Sequence, residues 1–470
     1  MSTRAVTKSL AVLTIGATVM LASPLSPAHA QSIAPQVGEF RLANGMHAVV
    51  IPDRRAPVVT HMVWYRVGAA DEPRGKSGIA HFLEHLMFKA TEKLPSGEFS
   101  KTVARLGGQD NAFTSQDATA YHQQIAKERL EQLMAMEADR MVNLRLAEAE
   151  VLTERDVIIE ERRSRIENNP GSILDEQMNQ ALYPNHTYGV PVIGFMHEMA
   201  QLSRADALGF YKQHYAPNNA ILVVSGDVTV DEVKAMAERT YGTVATGPQI
   251  AVRARPSDPP PLAPRRIDYV DARAGKPVLR RYYTAPSYVT AAKGEAEALD
   301  LLLKIASSGS TSRLYRRLVV EQKIASNAGG YYQASGLDSG KIALYAVPAD
   351  GHTLDDVERA LDAVLEEIRT GGVTQAELDR ARKSYIADYV YESDSQVALA
   401  RRYGWGLVVG QTVADVESWP TNLGKVTTAD VKAVAGRWLD IKRSVTGRLL
   451  PEASAAAAKP ANQQAPANRS

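Results

Sequence analysis

Two segments 224 residues apart open in the same way, and this echo constrains the fold of the chain more than any other feature. Leu202-Ser203-Arg204-Ala205-Asp206 begins a helix that leads, beyond Pro217, into the apolar strand Ala220–Val224. Val426-Thr427-Thr428-Ala429-Asp430 begins a similar helix that leads into Ser444–Leu449. In each, Ser203 or Thr427 stands where a hydroxyl can cap the helix, and an Asp lies in the first turn, where the helix dipole favours a negative charge. A chain of 470 residues is long for one core. A duplicated α+β domain accounts for both the length and the spacing; chance similarity of two capped helices is the alternative. Between the copies, Pro248 to Pro264 is dense in proline and reads as an extended linker. The expected division is a leader at 1–30, an N-terminal domain at 35–247, a linker at 248–266, a homologous domain at 267–452 and a disordered Ala/Pro/Gln/Asn-rich tail at 453–470.

The leader reads as an export signal. Arg4 and Lys8 precede an apolar run from Leu10 to Ala22, and Ala28-His29-Ala30 is a small-residue cleavage pattern. The run is short for a membrane span and nothing later replaces it, so no span is expected in the mature chain; a retained anchor is the alternative. Export would place the chain in the periplasm of a Gram-negative cell. With 54 Lys+Arg against 53 Asp+Glu, there is no electrostatic case for nucleic acid as a partner. The absence of cysteine excludes disulfides, a Cys nucleophile and thiolate zinc ligands, so any metal must sit on His and carboxylate.

Asn44-Gly45 predicts a two-residue hairpin turn between Phe40–Leu42 and Met46–Ile51. Further strands are expected at Val58–Val67, Asn111–Thr114, Ala118–Ile125 and Ala220–Gly226, then at Val278–Tyr283, Ala325–Gln333 and Lys341–Val347. Helical periodicity covers Ile79–Phe88, Gly97–Leu106, Lys127–Asn143, Glu148–Ile166 and Arg204–Tyr215 in the first half. In the second it covers Ala292–Ser307, Ser312–Glu321, Leu354–Thr370 and Gln375–Val390.

The chemistry lies in His81-Phe82-Leu83-Glu84-His85, an H-x-x-E-H pattern. On a helix, positions i, i+3 and i+4 share a face, so both imidazoles can reach one metal ion with the Glu84 carboxylate beside them. Neutral His nitrogens suit Zn²⁺, and a hydrolytic site needs a third protein ligand and an open position for water. Glu154 and Glu161 are two helical turns apart and share a face, with Val157 and Ile158 expected to fill that side between them. A solvated charged helix is the alternative. No H-E-x-x-H is present, because the run from His197 ends in Gln201.

Taken together, these motifs resemble the pitrilysin/insulinase family of zinc peptidases, most closely its smaller bacterial and mitochondrial-processing-peptidase-like branch. The resemblance extends through Gly107-Gly108, Asn111-Ala112-Phe113-Thr114, the Glu154 to Glu161 segment and Tyr215-Ala216-Pro217-Asn218-Asn219. It implies that His81, His85 and Glu161 ligate one Zn²⁺ per chain, that Glu84 is the general base and that Glu154 orients a ligand. Asn111, Ala112, Phe113 and Thr114 would form an edge strand to which a substrate peptide adds as a further strand. The implied fold is α+β, with two homologous domains, each an antiparallel-rich sheet packed with helices, forming one half of a clam-like chamber.

One departure bears on partners. The family's second half offers an Arg and, seven residues later, a Tyr; here Val319 and Ser326 fall at those positions. Neither can play the expected role. The resemblance therefore implies a zinc-bearing endopeptidase subunit for short or unfolded peptides, in a heterodimer with a homologous subunit that lacks the zinc motif and supplies the Arg/Tyr pair. A homodimer is the runner-up. A non-catalytic scaffold or peptide-binding subunit of the same fold is the competing function.

Overall fold

Strands with apolar residues at nearly every position, such as Ala220–Gly226, must be covered on both faces, and the arrangement follows from that demand. The computed structural model describes residues 37–452; the expected leader and tail lie outside the described residues. The first sheet contains β1 (Gly38–Arg41), β2 (His47–Pro52), β3 (Val58–Tyr65), β4 (Gln109–Thr114), β5 (Thr119–Ala126) and β6 (Ala220–Gly226), in the order β1-β2-β6-β3-β5-β4. The second contains β7 (Arg265–Val270), β8 (Val278–Ala285), β9 (Ala325–Gln333), β10 (Gly340–Pro348) and β11 (Ser444–Leu450), in the order β7-β11-β8-β10-β9. Apart from β1 the two orders are the same. Each sheet has one parallel pair, β2 with β6 and β7 with β11, among otherwise antiparallel neighbours. The helices that open the echo carry matching capping boxes, Ser203 with Asp206 and Thr427 with Asp430. The chain thus holds two domains of one topology.

The first hairpin differs from the expected two-residue turn. Leu42 N donates to Met46 O at 2.9 Å, leaving Ala43-Asn44-Gly45 as a three-residue loop with Gly45 at φ 92°. The Asn44 amide is drawn away to the carbonyls of Tyr241 and Val244, at 2.7 and 2.9 Å. Tertiary hydrogen bonds decide the turn here.

Alternation sends one set of side chains from the first sheet to each of two cores. Ala48, Val50, Val63 and Tyr121 face the domain's own helices, whereas Val49, Ile51, Met62 and Trp64 face the other way. That second face is covered by a helix of the C-terminal domain, Gln396–Val408, through Leu399, Ala400, Tyr403 and Leu407. Reciprocally, the N-terminal helix Pro170–Leu182 covers the second sheet with Leu174, Met178 and Leu182. A glycine marks the closest approach in each crossing. A Cβ on Gly404 would lie 2.1 Å from Trp64 Nε1, and one on Gly447 would lie 2.2 Å from Met178 Sδ. Neither crossing helix is expected from sequence periodicity.

The proline-dense stretch carries no regular secondary structure up to β7, yet it is anchored. Arg253 donates to the carbonyls of Asp117 and Val408 at 2.7 and 2.8 Å. Arg255, nearly fully buried, pairs with Asp71, Asp117 and Asp338 at 2.7, 2.5 and 3.0 Å. It joins turns of both domains.

Helix Glu295–Ser307 carries the half-buried Asp300 in the second domain. Its carboxylate accepts the Tyr288 hydroxyl, whose oxygen accepts the Trp419 indole N–H at 2.6 Å. Tyr332, Tyr385 and Glu297 also face it. Burial pushes the Asp300 carboxyl up to about 7 from 3.8. The folded state therefore holds a proton that the unfolded chain releases near pH 4. This contribution to stability is full below that pH and is lost as pH rises through about 7. Asp300→Asn is expected to gain thermal stability relative to the parent at pH 8 compared with pH 4. Melting curves at both pH values check this, and an equal difference at the two would refute it.

Candidate metal centre

The helix Ile79–Leu86 follows Gly78, whose φ of 87° suits glycine, and it buries Ile79, Phe82, Leu83 and Leu86 against the first sheet. That burial turns His81, Glu84 and His85 toward helix Glu148–Arg162 and strand β4. The Glu148–Arg162 helix buries Val151 and Ile158. Val157, expected to fill the core beside Ile158, is instead exposed, because the helix is rotated to direct Ile158 inward. Glu154 and Glu161 share the face toward the motif helix, as their spacing predicts.

His81 Nε2 and His85 Nε2 lie 3.6 and 3.5 Å from Glu161 Oε2. These separations are long for hydrogen bonds, and Glu161 Oε2 is buried with no hydrogen-bond partner. Three ligand atoms of the set lie within 4.8 Å of one another. Donors at about 2 Å from a tetrahedral centre stand about 3.3 Å apart, so the orphaned oxygen and the two nitrogens fit a shared ion better than a network among themselves. Among the described residues, no other His/Cys/Asp/Glu group does so.

The electrostatics agree with the donor set. Burial, reinforced by His85 and Arg165, pushes His81 down to about 3, so its imidazole is neutral. Burial also pulls His85 down, but its bond to Glu154 and the Glu154 charge outweigh this and leave it raised. His85 Nδ1 and Glu154 Oε1 are 2.9 Å apart; with Nδ1–H donating, the Nε2 lone pair turns toward Glu161. The His85 bond, with Lys89 at 2.6 Å, holds Glu154 below the usual carboxylate range. Burial raises Glu84 against the opposing Thr114 hydrogen bond.

Strand β4 lies at the sheet edge and pairs only with β5 among the described residues. Thr114 Oγ1 donates to Glu84 Oε2 at 2.6 Å, and Ala112 packs on the same face. Phe113 points to the opposite face, edge-on to Trp64 at 5.2 Å, and Asn111 is exposed. Val319 is half-buried in the second core, and Ser326 is exposed on β9. Of the nearby alternatives, Arg316 and Arg317 approach Glu321, Arg317 also reaches Glu367, and the Tyr332 hydroxyl donates to the Pro286 carbonyl. Sequence reasoning missed Lys89 on Glu154 and Arg165, 2.7 Å from Glu161 Oε1. Both stand four residues beyond a named residue, His85 and Glu161, and that spacing is the signal that points to them.

Residues 48–194 match the family described as Insulinase (Peptidase family M16), and residues 201–385 match one described as Peptidase M16 inactive domain. The chain is 30% identical over 447 residues to the zinc protease PqqE of Helicobacter pylori, covering 94% of this chain and 97% of that protein. The chain belongs to the M16 (insulinase) peptidase family. The crystal structure of a Helicobacter pylori protease matches this M16 chain with a TM-score of 0.83 at 30% identity, over 89% of this chain and all of that one. The first half of the periplasmic protease PqqL of Escherichia coli shares the fold, with a TM-score of 0.76 at 21% identity over 90% and 93% of the two chains. Against the whole of PqqL, the M16 chain spans 48% of its length.

Proposed function

We propose that the chain is a zinc-dependent endopeptidase subunit that hydrolyses short or unfolded peptides. The observation that carries the reading is the orphaned Glu161 Oε2 facing two imidazole nitrogens, beside a carboxylate tethered to an edge strand. The names of its relatives, zinc proteases, support the same metal. His81, His85 and Glu161 would hold the ion, and Glu154 positions His85. A bound zinc would supply Lewis-acid polarisation of the scissile carbonyl and lower the pKa of water to about 7. Glu84 accepts the proton of the attacking water and delivers it to the leaving amine. Thr114 fixes the Glu84 carboxylate through Oε2, which leaves Oε1 for this transfer. The outer edge of β4 offers main-chain hydrogen bonds to any extended peptide and aligns the scissile bond over Glu84.

The subunit works in a two-part chamber. The half-length match to PqqL supports this on grounds of fold, and Val319 and Ser326 support a homologous partner that supplies Arg and Tyr. Export rests on the leader sequence; no helix of the described residues is long and apolar enough to cross a membrane.

Cleavage of a quenched fluorescent peptide by the purified chain tests the proposal. Activity is expected to disappear on chelation, return with Zn²⁺ and require or rise strongly with the homologous partner. Full activity of the chain alone would remove the partner from the reading. No activity from a zinc-loaded chain with any homologous subunit would favour the scaffold. Glu154→Gln is expected to weaken zinc binding about 10- to 100-fold in a chelator competition, through loss of the charge that orients His85. Unchanged affinity would detach Glu154 from the site.

A further inference from the structure

The second domain carries a cavity of about 1030 Å³ beside helix Glu295–Ser307, reaching the Phe113 face of β4. Setting that helix on the motif helix by their opening glycines, Gly294 and Gly78 with φ 81° and 87°, puts Glu297 where His81 stands and Asp300 where Glu84 stands. The second repeat thus carries a carboxylate in place of His81, keeps one in place of Glu84, and has Leu301 where His85 stands. Asp300 is engaged by Tyr288. Glu297 is not engaged: the residue is 8% exposed, lines the cavity, and has no hydrogen bond or ion pair among the described residues. Its carboxylate opens onto the cavity, where a cation would meet an uncommitted charged acceptor.

The walls say which kind of cation. Tyr288, Tyr389, Trp405 and Trp419 line the space with aromatic surface, which attracts organic ammonium groups through the ring faces. A metal ion lacks ligands, since Glu297 belongs to no three-ligand group among the described residues. Of the two cavity arginines, Arg402 lies over the Tyr389 ring, 3.2 Å from Glu392. Arg401 is exposed at the other end, over Phe113. A peptide strand added to β4 sends alternate residues to the two faces of the sheet, one toward Glu84 and the next toward Phe113 and this cavity.

We infer that the cavity receives a primary ammonium group of a bound peptide, its amino terminus or a lysine side chain, on Glu297. The inference rests on the peptidase reading for its ligand, but its test does not use cleavage. Trp405 and Trp419 provide a fluorescence signal in full-length Glu84→Gln protein, where the probe is not consumed. Three probes are titrated: trialanine amide, its N-acetyl form, and N-acetyl-Ala-Lys-Ala amide. Saturable binding of the first names the amino terminus, binding of the third names lysine, and the second is expected not to bind. Glu297→Gln is expected to weaken binding at least about tenfold, a loss greater than any caused by His81→Ala. Butylammonium chloride is expected to displace the probe from the chain with Glu297 intact, which needs no variant to fold. Equal binding of the acetylated probe, no binding of any probe, or loss with His81→Ala but not Glu297→Gln would overturn the inference. That last result would locate the amine at the metal centre and leave the proposed peptidase standing.

Discussion

Glu84→Gln is expected to lower peptide hydrolysis by about 10²- to 10⁴-fold while zinc content stays at the level of the parent chain. Glu84 is not among the three residues whose atoms converge, so the substitution leaves that donor set intact. The amide oxygen can still accept from Thr114 Oγ1, at 2.6 Å in the parent, so the side chain keeps its tether and loses only its capacity to take a proton. Burial disfavours the charged carboxylate, so the neutral amide costs the fold nothing on that account. Activity and metal content measured on the same preparation separate the two roles. Retained hydrolysis at full zinc occupancy would remove Glu84 as the base. Zinc loss would make it a ligand.

The second large effect is expected far from that site. Arg255→Ala should cost about 3–5 kcal/mol and lower the melting temperature by several degrees. The guanidinium meets Asp71 and Asp117 in turns of the first domain and Asp338 in the β9–β10 turn of the second. Asp117 is 2% exposed, so removal of its partner strands a buried charge. His186, 3.1 Å from Asp338, and Arg253, 3.6 Å from Asp71, each stand beside one of the three, which leaves Asp117 as the carboxylate that depends most on Arg255. Adding Asp117→Asn to Arg255→Ala should recover part of the loss, because the stranded charge is then gone. Melting curves of the parent, both single variants and the pair measure the coupling; an unchanged melting temperature in Arg255→Ala would mean that the clamp holds nothing.

Arg255 also shows where reading the chain in one dimension stops. Its position in a proline-dense stretch suggests a spacer, and the absence of regular secondary structure there agrees. Its three aspartates are 184, 138 and 83 residues distant. No local pattern signals such a partnership. Similarly, Glu154 and Glu161 are legible as a pair through helical spacing, but which neighbouring side chain faces the core is not: Val157 is exposed and Ile158 buried. The rotation of that helix is set by what it packs on.

The H-x-x-E-H face, the capped echo at Asp206 and Asp430, and the edge-strand segment Asn111–Thr114 follow from rules that act over a few residues. They identify the family and the duplicated domain without any tertiary contact. The crossing helices Pro170–Leu182 and Gln396–Val408 escaped those rules. The first opens with Pro170 at its first position, which is a start signal but leaves the rest of the helix to its apolar spacing, and the second contains Gly404 and Gly406, which weaken a helix read in isolation. Each is stabilised by the sheet of the opposite domain, which buries its apolar face. Short-range geometry therefore sets His81, Glu84 and His85 on one helical face and Glu154 and Glu161 on another. Packing between elements decided that His85 meets Glu154, 69 positions away, that Thr114 of the edge strand holds Glu84, 30 positions away, and that the two repeats share their cores, because burial of apolar faces depends on the whole fold and not on spacing along the chain.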